Sequence, residues 1–305
     1  MQSLPRVSIV YLGSVNGNIP HIMNRIAAHR KALSATLSSG LAFKSRVNPI
    51  VSLRLEKIYG APVLLSGVSS LVICESELAI LDQHFKDTYQ NLQKLHQRTP
   101  RSVVFFLGGS LPAQALIHLK MLSIFGMVTR LPHDPLNIHA RNILVTAKAK
   151  SKSWFCKLRD LCLLYNLPHP LSILEFPPSK EQFKKTTTSH VIRYWEEKFR
   201  GEAALLPSLH DFKPEFMNLK TPHLIWRTAG SNPYEVSKAI QQARLLSGRY
   251  RTADLEKNWT SNREGLCQNC LECAETVEHM LLSCTAYHET KKKLYSLWLS
   301  NSISK

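Results

Sequence analysis

Apolar residues recur along most of this chain every three or four positions, the spacing of a helix with one buried face. From Ile22 to Leu37, Ile22, Ile26, Leu33 and Leu37 share a face with His29, while Arg25, Arg30 and Lys31 fall elsewhere and Gly40 marks the stop. A second helix is predicted over Val51 to Tyr59, stopping at Gly60-Ala61-Pro62. The third is clearest: Leu78, Leu81, Phe85, Tyr89, Leu92 and Leu95 keep the helical repeat until Thr99-Pro100 closes it. Gly108-Gly109-Ser110-Leu111-Pro112 then introduces a helix from Ala113 to about Val128, with Pro112 suited to its first turn.

His133-Asp134-Pro135 marks a break, after which short helices alternate with turns at Pro168, Pro170, Pro177 and Pro178. Lys180 to Phe199 reads as a longer helix that buries Phe183, Val191, Trp195 and Phe199. At Asn232-Pro233-Tyr234-Glu235 an Asn N-cap, a proline and an early Glu together suit a helix start. Val236, Ala239, Ile240, Ala243 and Leu246 form that helix's inner face, and Gly248 its end. Strand-like alternation is nowhere sustained; Val7 to Tyr11 is the best candidate. The expected fold is all-α, in many helical segments, closed by a small C-terminal module.

Charge changes this picture. Among 305 residues, 39 are Lys or Arg and 22 are Asp or Glu, a net +17 with histidine neutral. Such an excess concentrates polyanions and favours contacts with phosphates. Apolar residues make up 44%, which argues against wholesale disorder. The longest obvious apolar run, Val103 to Leu107, falls far short of the roughly 18–20 residues that cross a bilayer. Pro5, Arg6 and Ser8 interrupt any secretory leader. The expected location is therefore intracellular and reducing, nucleus or cytoplasm, where clustered cysteines serve as metal ligands more often than as disulfides.

Four of the seven cysteines lie between Cys267 and Cys284. Cys267-Gln268-Asn269-Cys270, followed by His279 and Cys284, has the ligand types and the tight first pair that tetrahedral zinc requires. Glu275 to Ser283 reads as a short helix presenting His279, so Cys284 converges only if that helix ends or tightens there. Cys273 is an alternative to Cys270, although Cys267 with Cys270 has the better hairpin spacing. Three thiolates and one imidazole saturate the ion, so the zinc is expected to be structural rather than hydrolytic. Cys74, Cys156 and Cys162 sit in apolar helical contexts and read as core residues.

Basic residues flank this cluster and recur upstream. Lys148, Lys150 and Lys152 stand beside Trp154 and Phe155; Lys184 and Lys185 load the long helix that carries Trp195; Arg249 and Arg251 precede the cysteines and Lys291, Lys292 and Lys293 follow them. These ten are the candidate nucleic-acid contacts, since cations meet phosphates while rings can stack on bases. Trp154, Trp195 and Trp226 themselves read as core residues rather than stacking platforms. No catalytic residue is expected. The six aspartates (Asp82, Asp87, Asp134, Asp160, Asp211, Asp254) include no adjacent or one-apart pair of the kind that holds catalytic magnesium.

Several stretches resemble the C-terminal part of LINE-type, non-LTR retrotransposon reverse transcriptases. Tyr11-Leu12-Gly13 resembles the Leu-Gly motif at the end of that family's palm, and Pro62-Val63-Leu64-Leu65-Ser66-Gly67 its thumb segment. Leu107 to Ala113 resembles the Gly-x-Leu-Pro turn that follows. Cys267-x2-Cys270 through Val277-Glu278-His279-Met280-Leu281-Leu282-Ser283-Cys284-Thr285-Ala286-Tyr287 resembles the family's zinc-binding knuckle. The likeness covers nearly the whole chain, and the order of the motifs carries it more than any one of them. It implies a thumb-like helical remnant over 1–130, a helical connection over 131–260 and the knuckle over 261–305. It also implies a non-catalytic fragment that holds RNA or DNA, because the family's endonuclease and catalytic Asp pair have no counterpart here. No membrane or small-molecule partner is expected. The competing expectation is a helical protein-interaction scaffold whose knuckle binds a protein.

Overall fold

A computed structural model describes residues 10–11, 14–15, 18–38, 47–146, 148, 151, 153–209, 212–250, 252–257, 264–289 and 291–292. The architecture is all-α. Among the described residues the one strand pairing is two residues long, with Val10–Tyr11 antiparallel to Ser14–Val15. The chain divides into two compact units, 1–243 and 244–305.

In the first unit, α1 (Asn18–Ser38) follows the predicted periodicity, burying Ile22, Ile26 and His29. Gly40 lies outside the described residues. α2 (Pro49–Leu55) begins at an Asn48 cap, but the predicted stop at Gly60 does not occur. The backbone widens into a π turn over Glu56–Gly60 and runs on as α3 (Ala61–Leu64), with Pro62 in the first turn of α3. The widening turns Glu56 into the interior, where it is fully buried.

α4 (Glu75–Leu92) carries the strongest repeat and buries Leu78, Leu81, Phe85, Tyr89 and Leu92. Leu95 lies beyond its end yet is still buried. Lys94 takes a left-handed conformation, and the Leu95 amide reaches back to the Gln90 carbonyl at 3.1 Å, closing the helix over its own apolar face. Cys74 corrects its expected core placement. It is exposed at the N-cap of α4, where its amide donates to Glu77 at 2.8 Å, whereas Cys156 and Cys162 are buried as expected.

The apolar run becomes α5 (Arg101–Gly108), with Ser102 to Gly108 all buried. α6 (Ala113–Thr129) follows it at 63°, with Pro112 as N-cap rather than inside the first turn. Among the described residues no single helix is long and apolar enough to cross a membrane. Gly109 sits at φ +56°, and a Cβ there would lie 2.0 Å from the Thr221 backbone. Only glycine lets the 221–223 segment close in and donate the His223 amide to the Leu107 carbonyl at 3.0 Å.

α7 (Pro135–Thr146), α8 (Trp154–Leu164) and α9 (Pro170–Glu175) pack against α6, and the long α10 (Lys180–Ala204) lies along α5 and α6. All four residues predicted to be buried on α10 are buried. Phe105 and Phe199 stack with ring centres 5.7 Å apart, and Trp195 meets Phe199 at 5.4 Å. The Arg101 guanidinium lies 5.4 Å over Trp195 and is ion-paired with buried Asp82, whose other oxygen accepts the Gln114 amide at 3.1 Å. One carboxylate thus ties α4, α5 and the first turn of α6 together.

The unit closes with α11 (Leu224–Thr228), which carries fully buried Trp226. In α12 (Pro233–Leu246) the Asn232 side chain accepts the Tyr234 amide at 2.9 Å, as its cap signal predicts. Val236, Ala239, Ile240 and Ala243 are buried and Leu246 half-buried, and Gly248 turns left-handed at the predicted end. Trp195 and Trp226 are core residues, as expected. Half-buried Trp154 donates its indole N–H to the Ser69 carbonyl at 2.9 Å.

Candidate metal centre

The second unit is small, and the organisation of its described residues centres on the cysteines. Residues 265–275 form a tight hairpin. The Cys267 amide donates to the Cys273 carbonyl at 2.8 Å and the Glu275 amide to the Gly265 carbonyl at 2.8 Å, with Leu266 bridged to Ala274. At the tip the Leu271 amide returns to the Cys267 carbonyl at 2.8 Å, and Leu271 itself takes φ +59°. This turn points Cys267 and Cys270 to the same side and leaves Cys273 exposed on the returning arm. Cys270, not Cys273, joins the cluster.

The other two ligand positions come from one irregular turn. Thr276 caps it, its hydroxyl accepting the His279 amide at 3.0 Å. Helical geometry begins at Val277 rather than at Glu275 and widens at once into a π turn over His279–Ser283. The Cys284 amide donates to the His279 carbonyl, five residues back, at 2.7 Å. The expected ending or tightening of the helix is therefore a widening. One extra residue in the turn brings His279 and Cys284 to the same face, which a regular helix of 3.6 residues per turn would not do.

The four ligand atoms of Cys267, Cys270, His279 and Cys284 lie within 4.8 Å of one another, an arrangement that can hold one metal ion. The Sγ atoms of Cys267 and Cys284 are 3.8 Å apart, and Cys270 Sγ is 3.3 Å from His279 Nε2. A disulfide would need about 2.05 Å, so the sulfurs stand as separate ligands. The Cys270 amide, aided by that of Asn269, donates to the Cys267 sulfur and pulls its thiol down to about 6, against the opposing effect of burial. Burial pushes the Cys284 thiol up, and the neighbouring Cys267 sulfur adds to that push. A cation at the centre relieves both, since it stabilises every thiolate at once.

Outside the ligands, Asn269 donates to the Tyr287 hydroxyl at 2.7 Å and Lys291 to the Cys284 carbonyl at 3.0 Å, tying the hairpin to the segment after the π turn. Tyr287 is the last residue of the knuckle-like motif, whereas Thr276, which carries the usual N-cap signal three residues before His279, is not one of its named positions.

The candidate nucleic-acid contacts fall in both units. In the first, Lys148, Lys184 and Lys185 are exposed. In the second, Lys292 is exposed 3.5 Å from Glu289, while Arg249 and Lys291 are half-buried. Lys150, Lys152, Arg251 and Lys293 lie outside the described residues.

A second buried polar group, in the first unit, went unread in the sequence. His29 is hydrogen-bonded through Nε2 to Glu56 at 3.0 Å and through Nδ1 to His84 Nε2 at 2.9 Å. The bridging ring is fully buried and the three groups run in a line rather than around a point, so they cross-link α1, the first π turn and α4. No family model, curated protein or solved structure matches the chain.

Proposed function

We propose that this chain is a non-catalytic nucleic-acid-binding protein whose C-terminal unit is a structural zinc knuckle, equivalent to the C-terminal end of a LINE-type reverse transcriptase. The observation that carries the reading is the convergence of three thiols and one imidazole. Zinc sits about 2.3 Å from sulfur and about 2.0 Å from nitrogen, which for a tetrahedron sets a sulfur–sulfur edge near 3.8 Å and a sulfur–nitrogen edge near 3.5 Å. The 3.8 Å and 3.3 Å separations fit those edges. The donor set is soft, which favours zinc over calcium or magnesium. Four protein ligands leave no place for a reactive water, which supports a structural role.

The nucleic-acid half of the reading rests on the net +17 and on the exposed lysines of both units. It is tested by fluorescence anisotropy of the zinc-loaded full chain with single-stranded and duplex oligonucleotides at about 50 and 200 mM salt. Binding that weakens steeply with salt is expected; salt-independent or absent binding sinks the proposal.

One observation favours a protein-binding knuckle instead. Leu271, Leu281 and Leu282 are 70%, 56% and 67% exposed, an apolar surface a nucleic-acid backbone does not need. In that reading Leu281→Ser abolishes capture of a protein partner, and charge reversal at Lys291, Lys292 and Lys293 leaves it intact.

A further inference from the structure

Where α2 begins and the α11–α12 connection passes, the first unit encloses an open cavity of about 660 Å³, within the size range of small-molecule sites. Its walls include Ile50, Val51, Trp226 and Pro233, and its two charged lining residues are Arg54 and Arg227. No carboxylate lines it. Among the described residues neither arginine side chain takes part in an ion pair or hydrogen bond, and both are exposed.

The frame around them is fixed. Asn48, itself buried, donates through Nδ2 to the carbonyls of Trp226 at 2.9 Å and Gly230 at 2.8 Å, and accepts the Ile50 amide at 3.0 Å. One side chain thus pins segments about 180 residues apart. The Trp226 indole is anchored in turn, donating to Gln93 at 3.3 Å. Two arginines lining an apolar hollow, with no carboxylate beside them in that lining, call for a ligand that is anionic at one end and flat and apolar at the other.

We propose that this cavity takes one nucleotide of a single-stranded nucleic acid, with the phosphate on Arg54 and Arg227 and the sugar and base against Ile50, Val51 and Pro233. This deepens the nucleic-acid reading above and rests on it. A single strand fits where a duplex does not, because only an unpaired nucleotide can leave its stack and enter a concave site. The cavity is also separate in sequence from every basic cluster flanking the cysteines.

The test uses the zinc-loaded full chain and a uridine 12-mer RNA, with a 12-base-pair RNA duplex and uridine monophosphate alongside. In the double variant Arg54→Gln, Arg227→Gln, single-strand binding is expected to weaken by roughly ten-fold. The slope of log affinity on log salt is expected to flatten by about 1.4, the contribution of two phosphate contacts on a single strand. Duplex binding stays within about two-fold, and the free nucleotide binds far more weakly than the 12-mer, since one phosphate supplies only part of the contact. A 4-thiouridine strand should also cross-link the wild-type chain to peptides containing 47–54 or 226–233, a readout independent of how the variant folds. If the wild type binds the strand but the variant keeps its affinity and slope and the cross-links map elsewhere, the cavity assignment is overturned. If the wild type binds no strand at all, the nucleic-acid reading fails and takes the cavity with it.

Discussion

The Cys284 amide donates to the His279 carbonyl at 2.7 Å, across a turn one residue wider than an α-helix allows. That bond decides whether the C-terminal unit has three ligands or four. In a regular helix the side chains of His279 and Cys284 would diverge by about 140°, at roughly 100° per residue. The π turn narrows that offset, and the ligand atoms of both residues lie within 4.8 Å of the sulfurs of Cys267 and Cys270.

Lengthening the turn should therefore damage the site more than changing a side chain in it. Leu282 is 67% exposed, so Leu282→Ala is expected to leave metal affinity nearly unchanged, within about two-fold, as surface substitutions usually do. One alanine inserted after Leu282 carries Cys284 roughly 100° further round the turn, away from His279. Competition with a chromophoric chelator should show at least about a hundred-fold loss for the insertion, comparable to removing a ligand.

The register of the hairpin gives a second expectation. Cys273 is exposed and Cys270 faces His279 at 3.3 Å. Cys273→Ser should keep the metal and Cys270→Ser should lose it, read by native mass spectrometry of the full chain. Equal loss in both variants contradicts the register.

Chelation should unfold one unit and spare the other. Hydrogen exchange in excess EDTA is expected to expose the amides of Cys267, Leu271 and Cys284, whose bonds organise the knuckle, because metal binding and local folding are coupled here. The amides of α4, α5 and α10 should stay protected.

How much of this was legible in the sequence can be judged at the two π turns. The helical repeats of α4, α6, α10 and α12 were readable because their cores use the same three-to-four spacing along the whole element. The repeat breaks at Glu56–Gly60 and at His279–Ser283, where a polar side chain must be turned inward, and no local propensity announces a widened turn. The identities of the metal ligands were readable, because cysteine and histidine spacing is a covalent property of the chain. Their geometry was not. The partners of His29 were hidden for a different reason: Glu56 and His84 lie 27 and 55 residues away, and only tertiary packing brings them together. Cys74 looked apolar by its neighbours and is exposed because a cap, not a helix face, claims it.

Gly60 makes room for that buried contact. A Cβ at Gly60 would lie 1.8 Å from the Glu56 carboxylate oxygen, and Glu56 is held by His29. Gly60→Ala should destabilise the first unit by about 1–3 kcal/mol, the usual cost of overpacking a filled interior. Urea unfolding followed by the tryptophan fluorescence of that unit would measure it; an unchanged midpoint contradicts the contact.

One buried and one half-buried histidine set the acid limit of the same unit. Burial pulls His118, hydrogen-bonded to Tyr165 at 2.7 Å, down to about 3, and His84 to about 4, from an unfolded value of 6.5. Between those values the unfolded chain binds protons that the folded chain refuses, so the stability of the first unit is full above about pH 6.5 and falls as pH is lowered toward 4. The melting temperature should drop between pH 7 and pH 5, and His118→Phe should reduce the drop.

The most direct measurement is elemental analysis of the purified full chain, by inductively coupled plasma mass spectrometry, with and without Cys267→Ser. The account predicts about one zinc per wild-type chain and less than about a tenth of that in the variant. A wild-type chain that carries no zinc after reconstitution, or a variant that keeps its full complement, contradicts it.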